Sequence, residues 1–171
     1  MKWLYKILHI VPPEDRAGIT LTNPYWEVEP IKIFTEFLSA LPIIIPNGSI
    51  LYLEGGYPDK KLKEFFNKTQ IANPVKIAIG TIWPVSGIDY YHIPLTDENI
   101  KELLELSKNH AEPEIAVHLL VYKGNKILID WYDVFDDPFY LSEDIIEDKL
   151  KEFCNKLCLK YRRFTKYNGT K

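Results

Sequence analysis

The chain of 171 residues has little of what usually marks a protein's class. Of its two cysteines, Cys154 and Cys158, neither has a neighbour suited to pairing. They sit four apart in a segment of helical periodicity, where they share a face, and a disulfide within a regular helix is geometrically poor. Zinc would need two further ligands at short spacing, so both read as reduced, small apolar side chains. Charge of one sign is also missing. The 24 acidic and 21 basic residues leave a net charge of −3, too weak a field to gather nucleic acid or an anionic membrane. No apolar run reaches the roughly 18 residues of a membrane span. Residues 1–11 come nearest, but Lys6 and His9 interrupt them and Pro12-Pro13 stand where a signal would carry small residues, so they read as a strand. A cytoplasmic chain with neither a membrane nor a nucleic-acid partner is expected. Motifs are scarce as well: no GxGxxG, Walker, HExxH or GxSxG pattern occurs. No cofactor and no metal is expected.

The remaining composition, 46% hydrophobic and 26% charged, is that of an ordinary ordered domain, and this length can bury roughly 70% of the unfolded surface without a covalent staple. Four helices are legible. Residues 28–41 carry the stripe Ile33, Phe34, Phe37, Leu38 and Leu41, with Pro30 in the first turn and Pro42 as the stop. The second starts near Pro58 after a strand at 49–53 and the turn Glu54-Gly55-Gly56, whose acidic flanks argue against a phosphate site. The third follows Thr96, a suitable N-cap with Asp97 and Glu98 behind it. The last runs from Ser142, with Ile146, Leu150, Phe153, Cys154 and Leu157 on one face.

Strands read at 75–81 and 88–95, paired as a hairpin across a five-residue loop, and at 115–122 and 127–133, joined through Gly124-Asn125. Strand-helix-strand segments imply parallel pairs and hairpins imply antiparallel ones. The fold expected is therefore α+β, a mixed, largely antiparallel sheet with about four helices packed against it, in one domain spanning 1–171 and ending in a frayed basic tail at 162–171.

Two groups of residues could carry chemistry. Residues 130–140 hold four aspartates and five aromatics in eleven positions. Trp131, Phe135, Asp136, Asp137, Phe139 and Tyr140 together suit an exposed patch that recognises a protein partner of basic character. Local turn and strand-end duties for each aspartate are the plainer alternative. His118 interrupts the most apolar strand, where its ring must find a hydrogen bond. A two-residue turn at Gly124-Asn125 would set His118 opposite Trp131 and Leu119 opposite Asp130, leaving Asp133 diagonal to His118 on one face. A histidine oriented by an aspartate is half of many hydrolytic sites, and also a common structural pair. The leading expectation is a binding or regulatory protein, inhibitor- or immunity-like. The alternative is a hydrolase with His118 as base, Asp133 as its orienter and Asp136 or Asp137 holding water or a metal.

Overall fold

The structure, a computed structural model, describes residues 18–22, 24–72, 75–77, 89–110, 112–134 and 136–165. Its core is a seven-stranded sheet. The strands are β1 (Tyr25–Val28), β2 (Ile50–Glu54), β3 (Tyr90–Pro94), β4 (His118–Lys123), β5 (Lys126–Tyr132), β6 (Phe139–Ser142) and β7 (Tyr161–Phe164). They lie in the order β3-β2-β4-β5-β6-β1-β7, and every neighbouring pair is antiparallel. The helices are α1 (Phe34–Ile44), α2 (Lys60–Thr69), α3 (Asp97–Ser107), the single turn α4 (Glu112–Ile115) and α5 (Glu147–Leu157). The α+β architecture is as expected, but the anticipated parallel pairs within the sheet do not form. After α2 the chain covers 20 further residues before β3, enough to return it to the far end of the sheet and enter antiparallel to β2. The one parallel contact described is the isolated bridge between Ile19 and Ile77, outside these strands.

Alternation divides the sheet into two unlike faces. Leu51, Leu53, Tyr91, Ile93, Leu119, Val121, Ile129, Trp131, Phe139 and Leu141 point to one of them, where they meet Phe37, Leu38 and Leu41 of α1, Leu62 and Phe66 of α2, Leu103 of α3, and Leu150 and Phe153 of α5. Burying one such Leu or Phe side chain contributes about 1.5–3 kcal/mol, so this cluster supplies most of the hydrophobic stabilisation. On the other face Tyr52, Leu120, Tyr122 and Ile127 pack with Ile77, Ile19 and Val75, and no described helix contributes to that cluster.

Several local expectations hold, and others shift for physical reasons. Thr96 caps α3, as expected, by accepting from Asn99 N at 3.1 Å, and Asp59, which the sequence had not marked as a cap, caps α2 by accepting from Leu62 N at 2.8 Å. Pro42 lies inside α1 instead of ending it; near a C-terminus its missing N–H removes a single bond. Ser142 ends β6, and α5 begins five residues later. β3 pairs with β2, and most of the strand expected at 75–81, like residues 1–11, lies outside the described residues. The supposed basic tail is in part strand β7, held by an ion pair from Arg162 to Glu27 and another from Arg163 to Glu143. No described helix is long and apolar enough to cross a membrane.

Candidate functional site

The face to which no described helix contributes carries a line of polar side chains placed by simple alternation. On β2, Tyr52 and Glu54 are two apart. Across the ladders Tyr52 faces His92 and Leu120, Glu54 faces Tyr90 and His118, and on the next strand Leu120 faces Asp130 and His118 faces Tyr132. The face therefore gathers Tyr52, Glu54, Tyr90, His92, His118, Tyr122, Asp130 and Tyr132.

Three hydrogen bonds organise it. The Tyr52 hydroxyl donates to Glu54 Oε2 at 2.5 Å, with Glu54 only 1% exposed. Burial, and then the negative charge of Glu54, push the Tyr52 phenol far above its ordinary range, so it stays a neutral donor. His92 Nδ1 and the Tyr122 hydroxyl lie 2.9 Å apart. Burial lowers His92 to a pKa of about 4 and raises Tyr122 to about 12, which makes this a neutral pair across the ordinary pH range. The third bond runs from His118 Nε2 to Asp130 Oδ1 at 2.9 Å, the imidazole side chain 6% exposed and the carboxylate 30%. The ring edges against Tyr132 at 5.5 Å and Tyr52 at 6.5 Å. Its other nitrogen, Nδ1, is buried without a hydrogen-bond partner among the described residues.

Asp130 takes the place expected for Asp133. A β-bulge shifts the β4–β5 register between Val121 and Tyr122, so that Val121 faces Ile129 and Tyr122 faces Ile127, leaving Leu128 extra. Beyond it every pairing slips by one: Leu119 faces Trp131, and His118 shares a face with Asp130 and Tyr132. Asp133 lies past the end of β5 in a left-handed turn, φ 50°, and is exposed. Its carbonyl accepts from the amides of Asp136 and Asp137 at 3.1 and 3.2 Å.

The acidic-aromatic segment is likewise divided. Trp131 and Phe139 are wholly buried among Phe37 and Phe153, and the Trp131 indole donates to the carbonyl of Asp137 at 3.1 Å, so neither ring can present itself to a partner. Asp136 and Asp137 are exposed, Asp136 with Lys32 at 3.5 Å. Tyr140 is half-buried on the opposite face from Trp131 and edges Tyr25 at 5.2 Å. Phe135 lies outside the described residues. No group of three or more His, Cys, Asp or Glu side chains among the described residues is arranged to hold a metal ion.

Sequence reasoning missed Tyr52, Glu54 and the His92–Tyr122 pair. Their signal was polar or aromatic residues at even spacing on β2, β3 and β4, which alternation sends to one face. What the arrangement can do follows from the tautomer. A carboxylate only accepts, so Nε2 carries the proton donated to Asp130, and in the neutral ring Nδ1 holds the free lone pair. No protein-family model, curated protein or solved structure matches this chain.

Proposed function

We propose that the polar face around His118 is a ligand site at which the imidazole, oriented by Asp130, moves a proton, most simply as the general base of a hydrolase. The observation that carries this reading is the buried Nδ1 of His118, which has no hydrogen-bond partner among the described residues. Such an atom costs stability, about 1–3 kcal/mol, unless something donates to it. A bound water or hydroxyl would do so, and Nδ1 would then accept its proton as the oxygen attacks an electrophile. Asp130 would fix the ring and stabilise the imidazolium, the role first given to Asp133. Tyr132, 40% exposed, supplies an aromatic edge beside the ring for the rest of the ligand.

The test is a panel of carboxylic esters, phosphate esters and amides, assayed with the wild-type chain, Asp130→Asn and His118→Gln. Hydrolysis of one class is expected, reduced by about 100-fold or more in His118→Gln with the thermal midpoint retained, and to a lesser degree in Asp130→Asn. Equal rates for all three proteins on every class would overturn it.

A second reading keeps protein recognition. Asp133, Asp136 and Asp137 stand exposed on one turn, and a basic partner would meet these carboxylates without any contribution from Trp131 or Phe139.

A further inference from the structure

A concavity lies on the helix-bearing side, far from His118 in its chemistry and built from other residues. It opens between the β4–β5 turn, the end of α1 and the start of α5, with a volume of about 340 Å³, within the range of small-ligand pockets. Ile44, Leu128 and Ile145 form an apolar floor, each of them buried. Leu128 is there because it is the extra residue of the β-bulge and turns with the core face. Lys123, Lys126 and Lys149 form the rim.

The charges at this rim do not balance. Lys126 is 2.9 Å from Asp144, which also lines the cavity, and the two offset each other. Lys123 and Lys149 have no ion-pair partner among the described residues. The acidic groups in the first turn of α5, Glu147 and Asp148, lie 3.4 and 3.6 Å from Lys151 and are offset there. Ile146 occupies the N-cap of α5 without any side-chain cap and is 64% exposed. A polar residue is favoured at that position. An isoleucine instead extends the apolar surface to the cavity mouth.

We propose that this cavity binds a small organic anion with an apolar body, its carboxylate or phosphate head held by Lys123 and Lys149 and its hydrocarbon part on Ile44, Leu128 and Ile145. An apolar floor under two unbalanced ammonium groups favours this class over a neutral hydrocarbon, which leaves the cations unused, and over a small inorganic anion, which leaves the floor wet.

Octanoate, octyl phosphate, octanol and acetate serve as probes in methyl and amide NMR titrations of the full chain. Saturable shifts of the Ile44, Leu128 and Ile145 methyls are expected with octanoate or octyl phosphate, the stronger of the two identifying the head group. Octanol and acetate should each bind at least about tenfold more weakly, and Lys123→Gln with Lys149→Gln should weaken the anionic probe by a similar factor without moving the thermal midpoint. Both lysines are exposed, so the double variant is expected to fold. The absence of saturable shifts, octanol binding as tightly as the anions, or an unaltered affinity in the double variant would each overturn the proposal. Because the His118 ring is a separate reporter, failure here leaves the acid–base reading standing, and the reverse.

Discussion

His118 and Asp130 meet at 2.9 Å because Leu128 is bulged out of the β4–β5 pairing. A regular two-residue turn would place Asp130 opposite Leu119, on the helix side of the sheet. The bulge moves it opposite Leu120 and so onto the face of His118. Deletion of Leu128 makes an unusual prediction. A regular hairpin through Gly124-Asn125 would then again set Val121 against Ile129 and Leu120 against Asp130, so the pair should survive. The cost should be that of removing a buried leucine, about 2–5 kcal/mol. Imidazole nitrogen shifts reporting a proton on Nε2, together with a lowered denaturation midpoint, would meet this expectation; loss of the Nε2–H signature in a folded variant would contradict it.

Acid should destabilise the protein through His92. Its folded pKa of about 4 lies below the ordinary 6.5 because burial disfavours the cation. Above pH 6.5 neither state is protonated. Between 6.5 and about 4 only the unfolded chain takes the proton, so stability falls as pH falls through that window and this contribution levels off below it. The full effect is on the order of 3 kcal/mol. Urea unfolding at pH 7 and pH 4.5 should show a smaller difference for His92→Gln than for the wild type.

Trp131→Ala should behave as a core truncation and cost about 3–5 kcal/mol, whereas Asp136→Ala, at an exposed position, should stay within about 0.5 kcal/mol. Chemical denaturation of the two variants compares them directly. Equal and small effects would return Trp131 to the surface.

Gly56 is a matter of space. A Cβ there would lie 2.4 Å from the carbonyl oxygen of Ile115 and 2.6 Å from its carbon. Both are backbone atoms that cannot swing aside, so Gly56→Ala should cost about 1–3 kcal/mol or more. At Gly124 a Cβ meets nothing within 4 Å, and the strain comes from φ +56° instead. Gly124→Ala should therefore cost about 1–2 kcal/mol. Thermal or urea unfolding of both variants checks the order.

The two cysteines should differ in reactivity. Cys154 is buried and its thiol is pushed up to about 12 by burial, then by Glu29, while Cys158 is exposed at the left-handed C-cap of α5. A thiol reagent should modify Cys158 in the native protein and reach Cys154 only after unfolding. Both are free thiols, so reductant should leave the thermal midpoint unchanged.

The parts of this fold legible in the sequence are those where local chemistry and periodicity agree. Thr96 caps a helix whose stripe follows it, and Gly124-Asn125 sits between two apolar runs. β1 escaped because Pro30, which separates Tyr25–Val28 from α1, reads equally well as a residue of a helix's first turn and so drew Val28 into the helix, and because the partners of β1 lie at the far end of the chain. The bulge escaped for a different reason. Leu128 is an apolar residue in an apolar run, with no glycine to mark it, yet whether it is paired or bulged out of the ladder decides which aspartate reaches His118. Ser142 was misleading because a serine that could cap a helix can equally accept from Asp144 N at the end of a strand, at 3.1 Å.

The position of β1 has a kinetic consequence. Among the described strands its neighbours are β6 and β7, so during synthesis Trp26 and Val28 wait for these strand partners until Phe139 to Ser142 and then Tyr161 to Phe164 have been made. The β2–β3–β4–β5 half can pair well before that. Loop closure between distant segments is entropically costly before any contact repays it, and β1 must enter between two strands instead of adding to an open edge. The last barrier to the native state should therefore be the insertion of β1, with the half of the sheet that bears His118 already assembled.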